Sequence, residues 1–200
     1  MAVISGEDCR LLIRGLTGSA EDATLEKFVD RVDASIARYL GFPLNTEGLF
    51  TLESKSYVLY LDGMGSDRLH LPLRPVSAIA SIIDDPDLDY SDSSDLVPAS
   101  DYVLYGDEGL VILKADSTHG IFSSTPRSVK VSLTAGFSSM PHELKQAIGL
   151  QVAHVFQGRD HVGRTEVSQG GGSIDVLGLG LLPEVKELVA PWRMGSSWLA

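Results

Sequence analysis

Two hundred residues, 44% of them hydrophobic, carry a formal net charge of −11 and a pI near 4.7. A chain of this length buries roughly 70% of the surface it exposes unfolded, so its core needs no staples, and Cys9, the single cysteine, makes neither an internal disulfide nor a Cys-rich zinc site. The charge excludes gripping nucleic acid through phosphate, which takes clustered Lys and Arg: from Pro75 to Leu113 there is neither, while Asp84, Asp85, Asp87, Asp89, Asp92, Asp95, Asp101, Asp107 and Glu108 fall in that stretch.

At the start, Leu11, Leu12 and Ile13 follow Glu7 and Asp8, which is not the pattern of a signal peptide. No apolar run approaches the ~20 residues of a membrane span, and one thiol fits a reducing compartment, so a soluble chain with no membrane partner is expected. Ser19, with Asp22 three residues on, resembles a weak capping box. Leu25, Phe28, Val29, Val32, Ile36 and Leu40 then recur at helical spacing, and Gly41 followed by Pro43 ends the helix.

The period then changes to two. Tyr57 to Leu61 alternates up to the turn signal Asp62-Gly63, and Leu69, Leu71 and Leu73 alternate up to Arg74-Pro75. Ala78 to Ile83, Tyr102 to Tyr105, Leu110 to Leu113 and Val129 to Leu133 are further strands, with a hairpin turn at Gly106 to Gly109. Asp84 to Ser100, rich in Asp, Ser and Pro, reads as an exposed loop. After Pro141 and Glu143, which suit a first helical turn, Leu144, Ala147, Ile148, Val152, Val155 and Phe156 form a second helical stripe. Thr165 to Ser173 reads as a mobile Gly-rich loop. Leu181, Leu182, Val185, Leu188, Val189 and Trp192 mark a last helix opened by Pro183, and Met194 to Ala200 is a tail with Trp198 and Leu199 among small residues.

Helices, strands, then helices again predict an α+β fold. The expectation is one domain over residues 1–200: a helical bundle from about 5–45 and 139–193, a β-rich insertion over about 49–137, and a tail at 194–200.

Catalytic and metal motifs fail on inspection. Asp85, Asp87 and Asp89 imitate the start of a calcium loop, but Tyr90 and Leu96 stand where an EF-hand needs Gly and Glu. His142-Glu143 lacks the second His of a zincin helix, Gln146 taking its place. His154 and His161 have no obvious carboxylate to complete a ligand set, and the glycines at 170–172, 178 and 180 match no phosphate-binding signature. No catalytic residue, cofactor or metal ligand is predicted, and the chain is expected not to be an enzyme. Trp198 has two open readings, a fold-back onto the chain's own core or an apolar anchor for a partner; Trp192, on the helical stripe, is expected in the core.

Six segments in order resemble a known family. Ala37-Arg38-Tyr39-Leu40-Gly41-Phe42-Pro43-Leu44 is similar to a helix end with Tyr-Leu-Gly-x-Pro-Leu. Leu71-Pro72-Leu73-Arg74-Pro75-Val76, Asp101-Tyr102-Val103-Leu104-Tyr105-Gly106 and Val131-Ser132-Leu133-Thr134-Ala135-Gly136-Phe137 follow it. Then come Pro141-His142-Glu143-Leu144-Lys145-Gln146-Ala147-Ile148, with Ala153-His154 and Arg159 beyond, and the segment from Leu182-Pro183-Glu184-Val185 to Ala190-Pro191-Trp192-Arg193. Together, over about residues 19 to 193, they resemble the head–tail connector or adaptor proteins of tailed bacteriophages, which dock beneath the portal. The Asp-rich loop (Asp84 to Asp95) and Gly170 to Gly172 have no counterpart there, and Trp192 stands where Tyr is more usual.

The resemblance implies a virion neck protein made in the bacterial host cytoplasm. It implies a ring, twelve-fold in the family, whose helical part builds the ring and whose channel passes DNA without specific binding. It implies as partners the portal protein, the next neck, stopper or tail protein, and further copies of the chain. Carried over by position, Trp192, Arg193, Met194, Trp198 and Leu199 become the candidate portal-binding tail. Asp84, Asp85, Asp87, Asp89, Asp92 and Asp95 form a candidate acidic loop whose charge, if it faces the channel, repels phosphate. Rival readings are a head-completion stopper or tail-terminator protein, a small hydrolase with an unrecognised site, and a protein-binding module that forms no ring.

Overall fold

The structure, a computed structural model, describes residues 3–13, 15–159, 166–169, 172–175 and 180–194. It mixes helices with antiparallel sheets and divides into two compact units, Met1–Gly41 with Ser139–Arg193, and Phe42–Ser138 with the segment from Met194. Among the described residues no helix is long and apolar enough to cross a membrane.

The first unit is built from helices. Ser5 accepts a hydrogen bond from the Asp8 N–H at 3.1 Å and so caps α1 (Gly6–Leu11). At Gly6 a Cβ would lie 2.5 Å from the Asp22 carbonyl oxygen, so only glycine lets α1 approach the next helix this closely. That helix, α2 (Asp22–Leu40), buries Leu25, Val29, Val32, Ile36 and Leu40 as its spacing predicts, with Phe28 half-buried. It closes on Gly41 at φ 94°, a left-handed position that favours glycine.

Its start differs from the sequence reading. The cap is Glu21, with no side-chain bond, and Ser19 contributes only its carbonyl, to Asp22 N–H. The carboxylate of Asp22 is held instead by Arg10, at 3.1 Å, which fastens α1 to α2.

Helix α3 (His142–Gly158) buries Leu144, Ala147, Ile148, Val152 and Phe156, and Phe156 meets Phe28 edge to face at 5.9 Å. Buried Gln151 on α3 donates to the Gly180 carbonyl at 3.0 Å and accepts from Leu182 N–H at 2.9 Å. That pair of bonds sets the start of α4 (Pro183–Val189), which buries Val185 and Val189.

The Gly-rich stretch is not a loop throughout. β7 (Glu166–Gln169) and β8 (Gly172–Asp175) pair antiparallel, Val167 opposite Ile174. Two glycines between two short alternating runs form a hairpin signal, which the glycine count obscured.

The second unit carries two three-stranded antiparallel sheets. In one, β6 (Val129–Ala135) lies between β1 (Lys55–Leu61) and β3 (Val76–Asp84). As the central strand it alternates fully, burying Val129, Val131, Leu133 and Ala135. In the other, β5 (Leu110–Leu113) lies between β2 (Arg68–His70) and β4 (Tyr102–Tyr105). β4 and β5 form the expected hairpin around Gly106 to Gly109.

Leu69, Leu71 and Leu73 are all buried, but only Leu69 lies in a strand. Leu71 N–H adds one more bond, to the Gly109 carbonyl at 2.7 Å, where short β5 has no further residue to offer. Asp62-Gly63 is not a hairpin turn, because β1 and β2 belong to different sheets. Asp62 instead accepts from Arg127 N–H at 2.6 Å, ahead of β6.

Candidate functional site

The acidic stretch is more structured than an exposed loop. Asp84 is the last residue of β3, and both Asp84 and Asp85 are buried. The Asp85 carboxylate accepts from the backbone N–H groups of Asp87 (2.7 Å), Asp89 (2.8 Å) and Tyr90 (2.6 Å). Those bonds, Tyr90's first, hold its carboxyl below the usual carboxylate range. The cage fixes the loop in an uncommon shape, with Leu88 at φ 66° and Tyr90 at φ 57°. Tyr90 is tied down further: its hydroxyl donates to the Arg127 carbonyl, its ring meets Tyr60 edge-on at 5.1 Å, and the Lys130 ammonium lies 5.6 Å from its centre.

Beyond it, Asp92 accepts from Ser94 N–H at 2.8 Å, opening a 3-10 turn at Ser93–Asp95, and its carboxyl is likewise lowered by that bond. Asp95 behaves oppositely. Burial raises its carboxyl, and the charges of Asp85, Asp92, Asp89 and Asp87 add to the effect. The six aspartates therefore divide: Asp84 and Asp85 face inward and build the loop, Asp87, Asp89 and Asp92 are exposed, and Asp95 is half-buried.

The calcium-like spacing thus has a structural use, since the Asp85 oxygens serve their own backbone. Among the described residues no three His, Cys, Asp or Glu side chains are placed to hold a metal ion. His142 is exposed on α3, His154 is half-buried and has a partner, and His161, Gly178 and Leu179 lie outside the described residues.

Sequence reasoning missed one cluster. His119 Nε2 lies 2.7 Å from Asp84 Oδ2, which also accepts from Ser123 N–H at 2.8 Å. The Asp101 carboxylate collects Thr118 Oγ1 (2.8 Å), Thr118 N–H (2.9 Å) and Ser117 Oγ (3.2 Å). The Thr118 hydroxyl and N–H, then Ser100, bring its carboxyl down to about 2. No spacing signals these pairs, because Asp84 and His119 are 35 residues apart.

A carboxylate, an imidazole and nearby serines are what a hydrolase would need, but their bonding is otherwise. Ser117 Oγ serves Asp101 and His119 N–H, and Ser123 Oγ accepts from Thr125 N–H, so neither hydroxyl is activated by the imidazole. The cluster pins the segment from Lys114 to Thr125 at two points, to Asp101 ahead of β4 and to Asp84 at the end of β3.

At the other end of the chain, Trp192 closes a 3-10 turn at Ala190–Trp192 and is half-buried. The Arg193 guanidinium lies 5.4 Å from the centre of the Tyr39 ring on α2, and Met194 is half-buried. Trp198 and Leu199 lie outside the described residues. Apolar groups face solvent elsewhere: Leu11 and Leu12 at the end of α1, Val58 and Tyr60 on the outer face of β1, Val103 and Tyr105 on that of β4.

Two compact units, helices with a small hairpin and a pair of three-stranded sheets, define an α+β chain whose conspicuous features are surfaces and caged loops. Its fold is that of proteins from the neck of a gene transfer agent particle. A chain from the neck of the empty particle, computed with C6 symmetry, matches with a TM-score of 0.58 at 21% identity, covering 96% of this chain and 90% of that one. A chain from the neck of the native particle, computed with C12 symmetry, gives a TM-score of 0.53 at 21% identity over 87% and 84%. One from the virion of the native particle gives 0.57 at 21% over 96% and 90%. No family model matches the sequence, and no curated protein does.

Proposed function

We propose that this chain is a non-enzymatic structural adaptor of a phage-type neck, which forms a ring beneath the portal and joins it to the next neck or tail protein around a channel for DNA. The observation that carries this reading is the match in fold, over nearly the whole chain, to neck chains in particles computed with six- and twelve-fold symmetry. The chemistry agrees, because the polar clusters are spent on loop architecture.

Such a protein works by fit. A closed ring needs two different patches that meet head to tail, and repetition then multiplies weak contacts. In this reading the chain is a single adaptor domain whose helical unit contributes most to the ring, assembled in the host cytoplasm and carried in the virion. The segment with Trp192, Arg193, Met194, Trp198 and Leu199 is the portal anchor, each large apolar side chain contributing roughly 1.5–3 kcal/mol when fully covered. A net −11 per copy lets DNA pass without sticking.

Cryo-electron microscopy of the chain mixed with the portal protein from its own genome tests this. A ring, twelve-fold by expectation, seated under the portal with density for the anchor supports it. A lone monomer that leaves the portal bare, or a ring that binds only after another neck protein is in place, overturns the adaptor role; the second outcome favours a stopper or terminator.

A further inference from the structure

On the helical unit, α2 and α3 leave an open groove of about 410 Å³. Phe28, Val32, Val155 and Leu181 supply its apolar lining, and Arg31 and Arg38 stand along one side of it. The two arginines are seven residues apart, so about 10 Å along the helix on the same face. Both are exposed, and among the described residues neither has a carboxylate partner; Arg31 only leans toward the Phe28 ring, at 5.7 Å. In a chain with 16 basic against 27 acidic side chains, two exposed cations beside an apolar trough are a local inversion of the charge balance.

The sheet unit carries a feature of the complementary sign. There Leu88, 45% exposed, sits at a loop tip between exposed Asp87 and Asp89, and the Asp85 carboxylate holds the backbone around it through three N–H groups. A tip already fixed in shape has little entropy left to lose on docking.

We propose that this groove receives the Asp87-Leu88-Asp89 tip of a second copy, with Leu88 against Phe28, Val155 and Leu181 and the two carboxylates on Arg31 and Arg38. Charge complementarity chooses this occupant: an apolar residue between two anions fits an apolar trough beside two cations. The contact joins two different patches, which is what a head-to-tail ring requires. It rests on the ring reading above and names the surfaces that would close the ring. The tip of the acidic run then faces a neighbouring subunit and not the channel.

The test compares ring yield, by electron microscopy and light scattering on full-length protein with its portal, for four chains: wild type, R31E/R38E, D87K/D89K and the four-fold swap. All four positions are exposed, but Asp89 Oδ1 accepts from Ser91 N–H at 2.8 Å and Ser91 Oγ at 3.0 Å, so circular dichroism checks folding of each chain and D87K alone, which leaves those bonds intact, is run beside D87K/D89K. Each reversal should lower ring yield by about tenfold or more, the effect of ~1.4 kcal/mol, and the four-fold swap should restore it. Rings at wild-type yield in either reversal overturn the contact and leave the ring reading standing; no ring from wild type overturns the ring reading itself.

A cross-link reads the same contact without changing charge. L88C with S35C, Ser35 also lining the groove, should give a disulfide ladder of multimers within assembled rings. Cys9 does not compete, being buried with its thiol pushed up to about 11, mainly by that burial and further by Asp8. Rings that form no ladder overturn the proposal, and a ladder from W198C with S35C instead would assign the groove to the tail of the second copy.

Discussion

The two units hold their chain in different ways. In the helical unit the cohesion is mainly a row of apolar side chains, Leu25, Val29, Ile36 and Leu40 on α2 with Leu144, Ile148 and Val152 on α3, with polar ties at Arg10–Asp22 and at Gln151. In the sheet unit the ladders of β2, β4 and β5 run over only three and four pairs, and long connections must be kept in shape without a ladder. Carboxylates do that: Asp85 for the loop after β3, Asp84 and Asp101 for the segment between β5 and β6, Asp62 for the turn before β6. A chain this acidic therefore spends part of its negative charge on framing its own loops, and the remainder stays exposed.

The largest expected effect lies in the apolar half of that comparison. Ile148 is fully buried on α3, so Ile148→Ala should cost about 2–5 kcal/mol through lost transfer energy and the cavity left behind, read as a lower urea midpoint. A change below 1 kcal/mol would mean that the helices do not depend on this stripe. Next is Gly6→Ala. Its Cβ would lie 2.5 Å from a backbone oxygen of Asp22, which cannot swing away as a side chain can. About 1–3 kcal/mol is expected from the overlap, with faster amide exchange in α1 as the local sign.

How well the sequence predicts each half follows from the same difference. Apolar periodicity is a local signal, so α2, α3 and α4 appear where their stripes lie, and β4 and β5 match residue for residue. Side-chain bonds to distant backbone leave no periodic trace. Asp84 and Asp85 therefore read as solvated loop residues, although burial and three N–H partners make Asp85 the centre of its loop. Asp22 read as half of a capping box because nothing local shows that Arg10 claims it. The candidate loop was thus found by charge, while its division into framework and surface was not. The Arg31 and Arg38 groove went unremarked because a pair of arginines on a helix looks like an ordinary solvated face.

The carboxylate half can be broken with acid. Asp101 is held at about 2, below the ordinary 3.8, and Asp85 and Asp92 are shifted the same way. A group whose folded value is depressed adds stability that is fully present above its unfolded value and disappears as pH falls through the folded one. Urea midpoints should therefore drop between about pH 4 and 2, and Asp101→Asn should flatten part of that slope while lowering the midpoint at pH 7. An unchanged acid slope in Asp101→Asn would remove this carboxylate from the framework.

Asp95 gives the smallest and most discriminating change, because its shift has the opposite sign. Burial and four neighbouring aspartates raise its carboxyl, so ionising it works against the folded state once pH exceeds the unfolded value, and protonation relieves the cost. Asp95→Asn keeps the shape and removes the charge. It should raise the urea midpoint slightly at pH 7 and leave it unchanged near pH 3, where the native carboxyl is already largely neutral. A fall at pH 7 would mean that the Asp95 charge has a stabilising partner, and the division of the acidic loop into framework and surface carboxylates would have to be redrawn around it.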